Sequence, residues 1–151
     1  MPMLDAKELL ERLRGVPTQS FEPGEFLLRA GARSGRLLVL REGRVEVSSE
    51  GVVLGEVDVP GAMMGEVAAL LGGAHTADLR AQTRTVCHVV EAERVLREDP
   101  VVTLQVAAVL AQRLDRLTQQ VVELRRAARS GKALDQPLDH LAKAVLLGGL
   151  P

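Results

Sequence analysis

The segment GEVAALLGGAHTADLRA, residues 65–81, combines two glycine turns, one short helical turn and the start of a strand. Gly65 and Glu66 begin the segment, and His75 and Thr76 precede the strand. A helical turn that begins directly after a glycine turn presents free backbone N–H groups, and such groups bind anions. The segment therefore predicts an anion-binding loop.

The composition indicates one globular domain with an aliphatic core. The chain has 151 residues, of which 46% are hydrophobic, but Phe21 and Phe26 are its only aromatic residues. A single-stranded nucleic-acid binder is not expected, since no aromatic platform can stack several bases. The net charge of −1 provides no general attraction to DNA or to an acidic membrane.

The sequence predicts a cytoplasmic protein that does not span a membrane. No apolar run reaches the ~18 residues that a membrane span requires, and the N-terminus lacks the pattern of a signal peptide. A single cysteine, Cys87, excludes an internal disulfide.

Glycines punctuate residues 17–90 at short intervals, between stretches such as RVEVS that alternate apolar and polar residues. Alternation with a period of two is typical of strands, and the Glu42-Gly43 and Glu50-Gly51 pairs predict hairpin turns. Closely spaced strands of this kind predict an antiparallel roll or barrel of about eight strands.

Helical patterns flank the strands, at residues 5–14 and after Val90. The segment at 101–130 contains neither Gly nor Pro. Along it, apolar or small residues recur at alternating spacings of four and three. This heptad seam predicts a homodimer through residues 101–128, with one helix lying on the roll as the alternative. The seam comprises Thr103, Ala107, Leu110, Leu114, Leu117, Val121, Leu124 and Ala128.

The predicted organisation has four parts. An N-terminal helix at residues 1–15 precedes the strands and a short hinge helix at 16–99, the long helix follows at 100–129, and a linker with a tail helix occupies 130–151. The tail either binds a partner or caps the domain.

This order of elements resembles the cyclic nucleotide-binding domain family, which includes catabolite activator proteins, protein kinase regulatory subunits and nucleotide-gated channels. FEPGEFLLRAGARSGRLLVLREGRVEV is similar to the first half of the family, and PGAMMGEVAALLGGAHTADLRA is similar to its phosphate-binding cassette. The cassette usually has Gly-Glu followed about nine residues later by Arg-Ser/Thr-Ala. The resemblance covers roughly residues 5–127 and implies a mainly β fold: an eight-stranded antiparallel β-roll of the jelly-roll type with flanking helices, followed by a long dimerisation helix.

The resemblance implies roles for the first half of the cassette, residues 65–77. Gly65 lets the ligand approach the backbone, and Glu66 accepts a hydrogen bond from the ribose 2′-hydroxyl. The N–H groups of Val67 and Ala68 point at the cyclic phosphate. Glu66 has an alternative role as an acid that the dipole of the short helix favours.

Three further positions follow from the resemblance. Thr76 meets the phosphate, and Ala77 keeps the wall of the site small. Thr118 in the long helix aligns roughly with a Ser/Thr that contacts the purine. Alternatively, Thr76 is an ordinary strand residue, and Thr118 is a neutral residue that flanks the heptad seam.

His75 departs from the pattern, because the family has an arginine there. Arginine donates two charge-assisted hydrogen bonds to one phosphate, whereas histidine donates one and has a reference pKa of ~6.5. Three outcomes are open. In the first, the backbone amides and Glu66 are enough for binding, and the phosphate keeps His75 charged. In the second, Arg80 or Arg84 supplies the missing charge. In the third, the site is degenerate.

The implied function is a cyclic nucleotide-binding regulatory or sensor domain, with cAMP or cGMP as the possible ligand and no other cofactor. Ligand capture would shift the hinge near residues 91–100 and reorient the dimeric long helix, which an unidentified protein partner would read. The alternative is a degenerate fold that binds no nucleotide and acts as a dimerisation or protein-interaction module. No enzyme is expected, since no nucleophile–base pair or metal cluster stands out.

Two other classes are disfavoured. A DNA-binding regulator would need a helix-turn-helix, and about twenty residues follow the long helix. A haem sensor would need Cys87 or His88 inside the roll, but adjacent strand residues point to opposite faces, so at most one of them could ligate iron.

Overall fold

The structure, a computed structural model, describes residues 3–131. In chain order this part contains the helices and strands α1 (Ala6–Arg12), β1 (Thr18–Phe21), β2 (Phe26–Leu28), β3 (Arg36–Glu42), β4 (Val45–Ser49), β5 (Val52–Val57), β6 (Met63–Met64), α2 (Glu66–Leu71), β7 (Asp78–Ala81), β8 (Thr85–Glu91), α3 (Ala92–Glu98) and α4 (Pro100–Arg129). The tail helix predicted within residues 130–151 lies outside the described residues. Within residues 3–131, no helix is long and apolar enough to cross a bilayer.

The eight strands form two four-stranded antiparallel sheets, with strand orders β1-β8-β3-β6 and β2-β7-β4-β5. The two sheets enclose one apolar core, which confirms the predicted eight-stranded roll. The hairpin predicted at Glu50-Gly51 is also confirmed, since β4 pairs with β5 directly across this turn. Glu50 and Gly51 have φ angles of 51° and 78°, and positive φ at both positions is typical of a two-residue hairpin turn.

The hairpin predicted at Glu42-Gly43 is wrong. The chain turns there, but β3 and β4 belong to different sheets, so the turn carries the chain across the roll. Gly43 has a φ of 108°, and a Cβ at this position would lie 2.6 Å from Thr85 Oγ1. The glycine is therefore required by the close approach of the start of β8.

Strand β3 explains how the helices attach to the roll. Leu38 and Leu40 face the core between the sheets, whereas Leu37 and Val39 face a second core formed with the helices. A strand that is buried on both faces reads as a continuous apolar run, as RLLVLRE does. The second core joins β3 and β6 to α1, α3 and the first half of α4.

Three polar contacts hold the first half of α4 in place. The Asp99 side chain accepts hydrogen bonds from the first backbone N–H groups of the helix and caps it. The same carboxylate pairs with Arg12 of α1 at 2.8 Å. Further along α4, the buried side chain of Gln105 accepts a hydrogen bond from Leu4 N at 2.9 Å and donates one to Leu4 O at 3.0 Å. The N-terminal segment and α4 are thereby fixed to each other.

Candidate ligand-binding site

A cavity of about 280 Å³ lies within the β-roll beside α2 and is closed on one side by α4. This volume is close to the lower end of the range for small-molecule sites, roughly 300–1,000 Å³. Most of its wall is apolar and comes from β2, β4, β5, β6 and β7. Seven of the eight site residues predicted from sequence line it, namely Gly65, Glu66, Val67, Ala68, His75, Thr76 and Ala77.

Gly65 positions α2 against the cavity. It is the N-cap of α2 with a φ of 88°, and a Cβ at this position would lie 2.7 Å from the carbonyl oxygen of Arg36. Any other residue would therefore be strained and would collide with the backbone of β3. Glycine brings the first turn of α2 close to the sheet and leaves its N–H groups beside the cavity.

Glu66 is the first residue of α2 and is only 3% exposed. A buried carboxylate requires a partner, because removing a charge from water is costly. The partner is Arg113 of α4, whose guanidinium Nη1 donates to Glu66 Oε1. The first turn of α2 is thus connected to the long helix through the interior of the site.

Arg113 also lines the cavity, and its side chain is 17% exposed. Its Nη2 donates to Met63 O at 3.2 Å, while Nε is buried without a hydrogen-bond partner among residues 3–131. Burial lowers the pKa of Arg113 from its usual value, but arginine remains charged at neutral pH. The site therefore contains a cation at the position where α4 closes it.

His75 is 7% exposed and forms part of the cavity wall. Its backbone is held by hydrogen bonds to Ala32 O at 2.9 Å and from Gly31 N at 2.8 Å. Its ring Nε2 lies 2.7 Å from Ser34 Oγ. Burial lowers the pKa of His75 and favours the neutral ring, and the charges of Glu66 and Arg113 balance each other.

Thr76 and Ala77 continue the wall toward β7. The carbonyl of Thr76 accepts a hydrogen bond from Ser49 Oγ at 3.1 Å, which ties the end of β4 to this loop. Ala77 is half-buried and packs on the core of the roll. Ser49 itself lines the cavity and adds a hydroxyl to its rim.

Thr118 lies away from the other predicted site residues. It is exposed on α4, and its hydroxyl donates to Leu114 O of its own helix at 2.9 Å. In the described part of the chain, Arg80 and Arg84 also lie outside the lining of this cavity. Arg80 donates to Gly24 O at 3.1 Å, and Arg84 lies near the carboxylates of Glu22 and Glu42 on the surface.

The pair Cys87 and His88 has the opposite orientations that strand geometry predicts. Cys87 packs in the core of the roll, where burial raises the pKa of its thiol to about 12 and disfavours the thiolate that binds metals. His88 points the other way, with Nδ1 3.2 Å from Val16 O. Within residues 3–131, no group of three or more His, Cys, Asp or Glu side chains could hold a metal ion.

Three site residues were missed by sequence reasoning: Ser34, Ser49 and Arg113. The sequence predicted no role in the site for Arg113. The signal that could have found it is the stripe Val102, Val106, Val109, because the next position on this face of the helix is 113. Ser34 and Ser49 lie far from the cassette in sequence, and no pattern marks them.

Comparisons with known proteins agree with this fold. The family model for the cyclic nucleotide-binding domain matches residues 18–98, whereas a comparison with curated proteins found no match. Among solved structures, the catabolite activator protein of Thermus thermophilus aligns with a TM-score of 0.61 at 19% identity, over 94% of this chain and 84% of that one. At this identity the likeness concerns the fold.

A regulatory subunit of a cAMP-independent protein kinase A from Trypanosoma brucei aligns with a TM-score of 0.53 at 26% identity, over 59% of this chain. A triple mutant of that subunit, bound to cAMP in its A site, aligns with a TM-score of 0.55 at 26% identity, over 67% of this chain. This chain spans 33% and 39% of the lengths of those two chains. The matched segment, residues 18–98, contains the whole β-roll and the cassette. The chain belongs to the cyclic nucleotide-binding domain family.

Proposed function

We propose that this protein is a regulatory or sensor domain that binds a cyclic nucleotide of the cAMP or cGMP type in the cavity beside α2. The family fold is regulatory and non-catalytic, and we propose neither a reaction nor a further cofactor. The observation that carries the proposal is the guanidinium of Arg113 inside the cavity, in contact with Glu66. It supplies a cation where the cassette has histidine instead of arginine.

The phosphate would lie between Arg113, His75 and the first turn of α2. The planar guanidinium of Arg113 suits a phosphate oxygen. The N–H groups of Val67 and Ala68 lie at the N-terminal end of a helical turn, which attracts anions. A cyclic phosphate carries one negative charge into a site whose charges already balance, so its binding favours protonation of His75.

The rest of the ligand has matching partners. We assign the second carboxylate oxygen of Glu66, Oε2, to the ribose 2′-hydroxyl, while Oε1 remains with Arg113. Thr76 offers its hydroxyl to the phosphate, and Ala77 leaves room beside it. Thr118 lies outside the cavity, so its contact with a purine requires movement of α4 or the cavity of a second chain.

Ligand binding would be transmitted through α4. Arg113 belongs to α4 and Glu66 to α2, so a phosphate that engages Arg113 changes the link between the two helices. A ligand shifts such an equilibrium only by binding one arrangement more tightly than the other. We propose that α4 forms a homodimer through residues 101–128, where Leu114 and Val121 are 66% and 45% exposed, and that an unidentified protein reads its position.

The Trypanosoma relatives make the role of His75 testable. The protein kinase A of these relatives is described as cAMP-independent. The mutant subunit that is bound to cAMP has, among its substitutions, a threonine replaced by arginine. The change His75→Arg introduces the same residue type into this cassette. Such a test could instead favour the alternative function, a dimerisation or interaction module that binds no nucleotide.

Calorimetric titration with cAMP and with cGMP tests the proposal. The native protein should give saturable heat with a dissociation constant between micromolar and millimolar. Arg113→Lys should weaken binding about tenfold or more, because the planar fork is lost. Arg125→Lys, on the exposed end of the same helix, is the matched control and should bind like the native protein.

His75→Arg should bind more tightly than the native protein. Heat from His75→Arg together with none from the native protein would contradict the proposal and identify the site as a lapsed one.

A further inference from the structure

The contact between Ser34 and His75 engages one of the two ring nitrogens of the histidine. Ser34 lies in the loop between β2 and β3, 41 positions before His75 in sequence. Its Oγ is 2.7 Å from His75 Nε2, which is a short distance for a hydrogen bond of this type. Ser34 itself is exposed, so its role is this contact and not packing in the core.

A second hydrogen bond of Ser34 Oγ favours one direction for this contact. The backbone N–H of Arg36 donates to Ser34 Oγ at 3.2 Å. The hydroxyl oxygen therefore already accepts a hydrogen bond, and its own proton is available to donate. Within residues 3–131, the hydrogen-bond partner of Ser34 Oγ that can accept this proton is His75 Nε2. A neutral imidazole that accepts at Nε2 carries its proton on Nδ1.

The environment of the ring places His75 between the start of α2 and the cavity. The ring Cε1 of His75 lies 3.5 Å from the position that a Cβ would have at Gly65, at the start of α2. His75 lines the cavity, and Ser34 holds the opposite nitrogen. In this tautomer Nδ1–H is the ring donor that Ser34 does not engage.

We propose that Ser34 is a positioning residue, which holds neutral His75 as the Nδ1–H tautomer so that the cavity presents an oriented N–H donor to a ligand oxygen. The proposal rests on the proposed function only for the nature of that oxygen, which belongs to the cyclic phosphate. His75 then supplies one oriented hydrogen bond in place of the family arginine, and Arg113 supplies the positive charge. The contact also survives protonation, because Ser34 Oγ can accept from Nε2–H of the imidazolium.

The tautomer is measured directly, without any nucleotide. Long-range ¹H–¹⁵N correlation spectra of the full chain at about pH 8, above the reference histidine pKa of ~6.5, separate protonated from unprotonated ring nitrogens. His75→Gln identifies the signals of His75 by their loss. His88 is an internal reference, because its Nδ1 lies 3.2 Å from the carbonyl of Val16 and should carry its proton in every variant.

The native protein should show His75 protonated at Nδ1 and unprotonated at Nε2. Ser34→Ala should move His75 toward the Nε2–H form, Ser34→Thr should retain the native pattern, and His88 should not change. An Nε2–H pattern in the native protein, or an unchanged pattern in Ser34→Ala, would overturn the proposal.

Affinity provides a second readout. Ser34→Ala should weaken binding of cAMP about 2- to 10-fold and Ser34→Thr should restore it, because one hydrogen bond orients the donor. Ser34→Ala binding as tightly as the native protein would contradict the positioning role. A native protein that binds no nucleotide would contradict the proposed function alone, since the spectra still decide the role of Ser34.

Discussion

The two halves of α4 carry similar apolar side chains in different surroundings. In the half at residues 100–113, Val102, Val106 and Val109 are buried against the roll, at 2%, 1% and 5% exposure. In the half at 114–129, Leu114 and Val121 are 66% and 45% exposed. The boundary between the halves is Arg113, the last residue of α4 that reaches the cavity.

This difference separates two functions within one helix. The first half is part of the domain core and of the ligand site, so changes there should alter folding of a single chain. The second half has Leu114 and Val121 exposed to solvent, and the proposed dimer would cover them.

The largest effect is expected from the ion pair at the end of the first half. Glu66→Gln or Arg113→Met alone should lower the free energy of unfolding by about 3–5 kcal/mol, because each leaves one buried charge without its partner. The double variant should recover much of this loss. Urea denaturation of the four proteins gives the coupling free energy. Additive losses in the double variant would show that the two side chains do not interact.

A matched valine pair compares the two halves directly. Val106→Ala should lower the free energy of unfolding by about 2 kcal/mol, since it removes buried methyl groups and leaves a cavity. Val121→Ala should change it by less than about 0.5 kcal/mol at low protein concentration. Denaturant unfolding at two protein concentrations measures both. Equal losses would mean that both halves of α4 pack in the same way.

Self-association should depend on the second half. Leu114→Glu should weaken a dimer at least about tenfold, because a charge replaces an apolar residue of the heptad seam. Leu104→Glu is the control, as Leu104 is 47% exposed in the first half and lies off the seam. Light scattering over a dilution series measures the mass. A native protein that remains a monomer at high concentration would refute the dimer.

The smallest effect is expected from pH. Burial lowers the pKa of His75, so the unfolded state takes up this proton at a higher pH than the folded state does. Stability should therefore fall as the pH decreases through the reference histidine pKa of ~6.5. The thermal midpoint should fall less steeply in His75→Gln than in the native protein. Parallel slopes would assign the pH dependence to other groups.

Much of the fold was predictable, because its signals are local. Period-two alternation and glycine pairs predicted the strands, and Glu50-Gly51 was a correct hairpin. Glu42-Gly43 was misread because the same residue types also serve where a chain crosses between sheets. The choice between a hairpin and a crossover depends on long-range pairing with β8, which local sequence does not encode.

The site was predictable only where the cassette is continuous in sequence. Seven residues of the segment 65–77 line the cavity together. Arg113 was missed because α4 has two apolar stripes, and periodicity alone does not tell which of them faces the roll. The heptad seam through Leu114 was assigned first, while the stripe through Val106 and Val109 brings Arg113 to Glu66. Ser34 acts through one hydrogen bond across the fold, which leaves no pattern in the sequence.

The central claim is that Arg113 and His75 together take the place of the cassette arginine. A crystal structure of the native protein with cAMP tests it most directly. We predict nucleotide density between Glu66 and His75, with phosphate oxygens within hydrogen-bond distance of the Arg113 guanidinium and of His75 Nδ1. An empty cavity at saturating cAMP, or a phosphate held by neither of these side chains, would contradict the account.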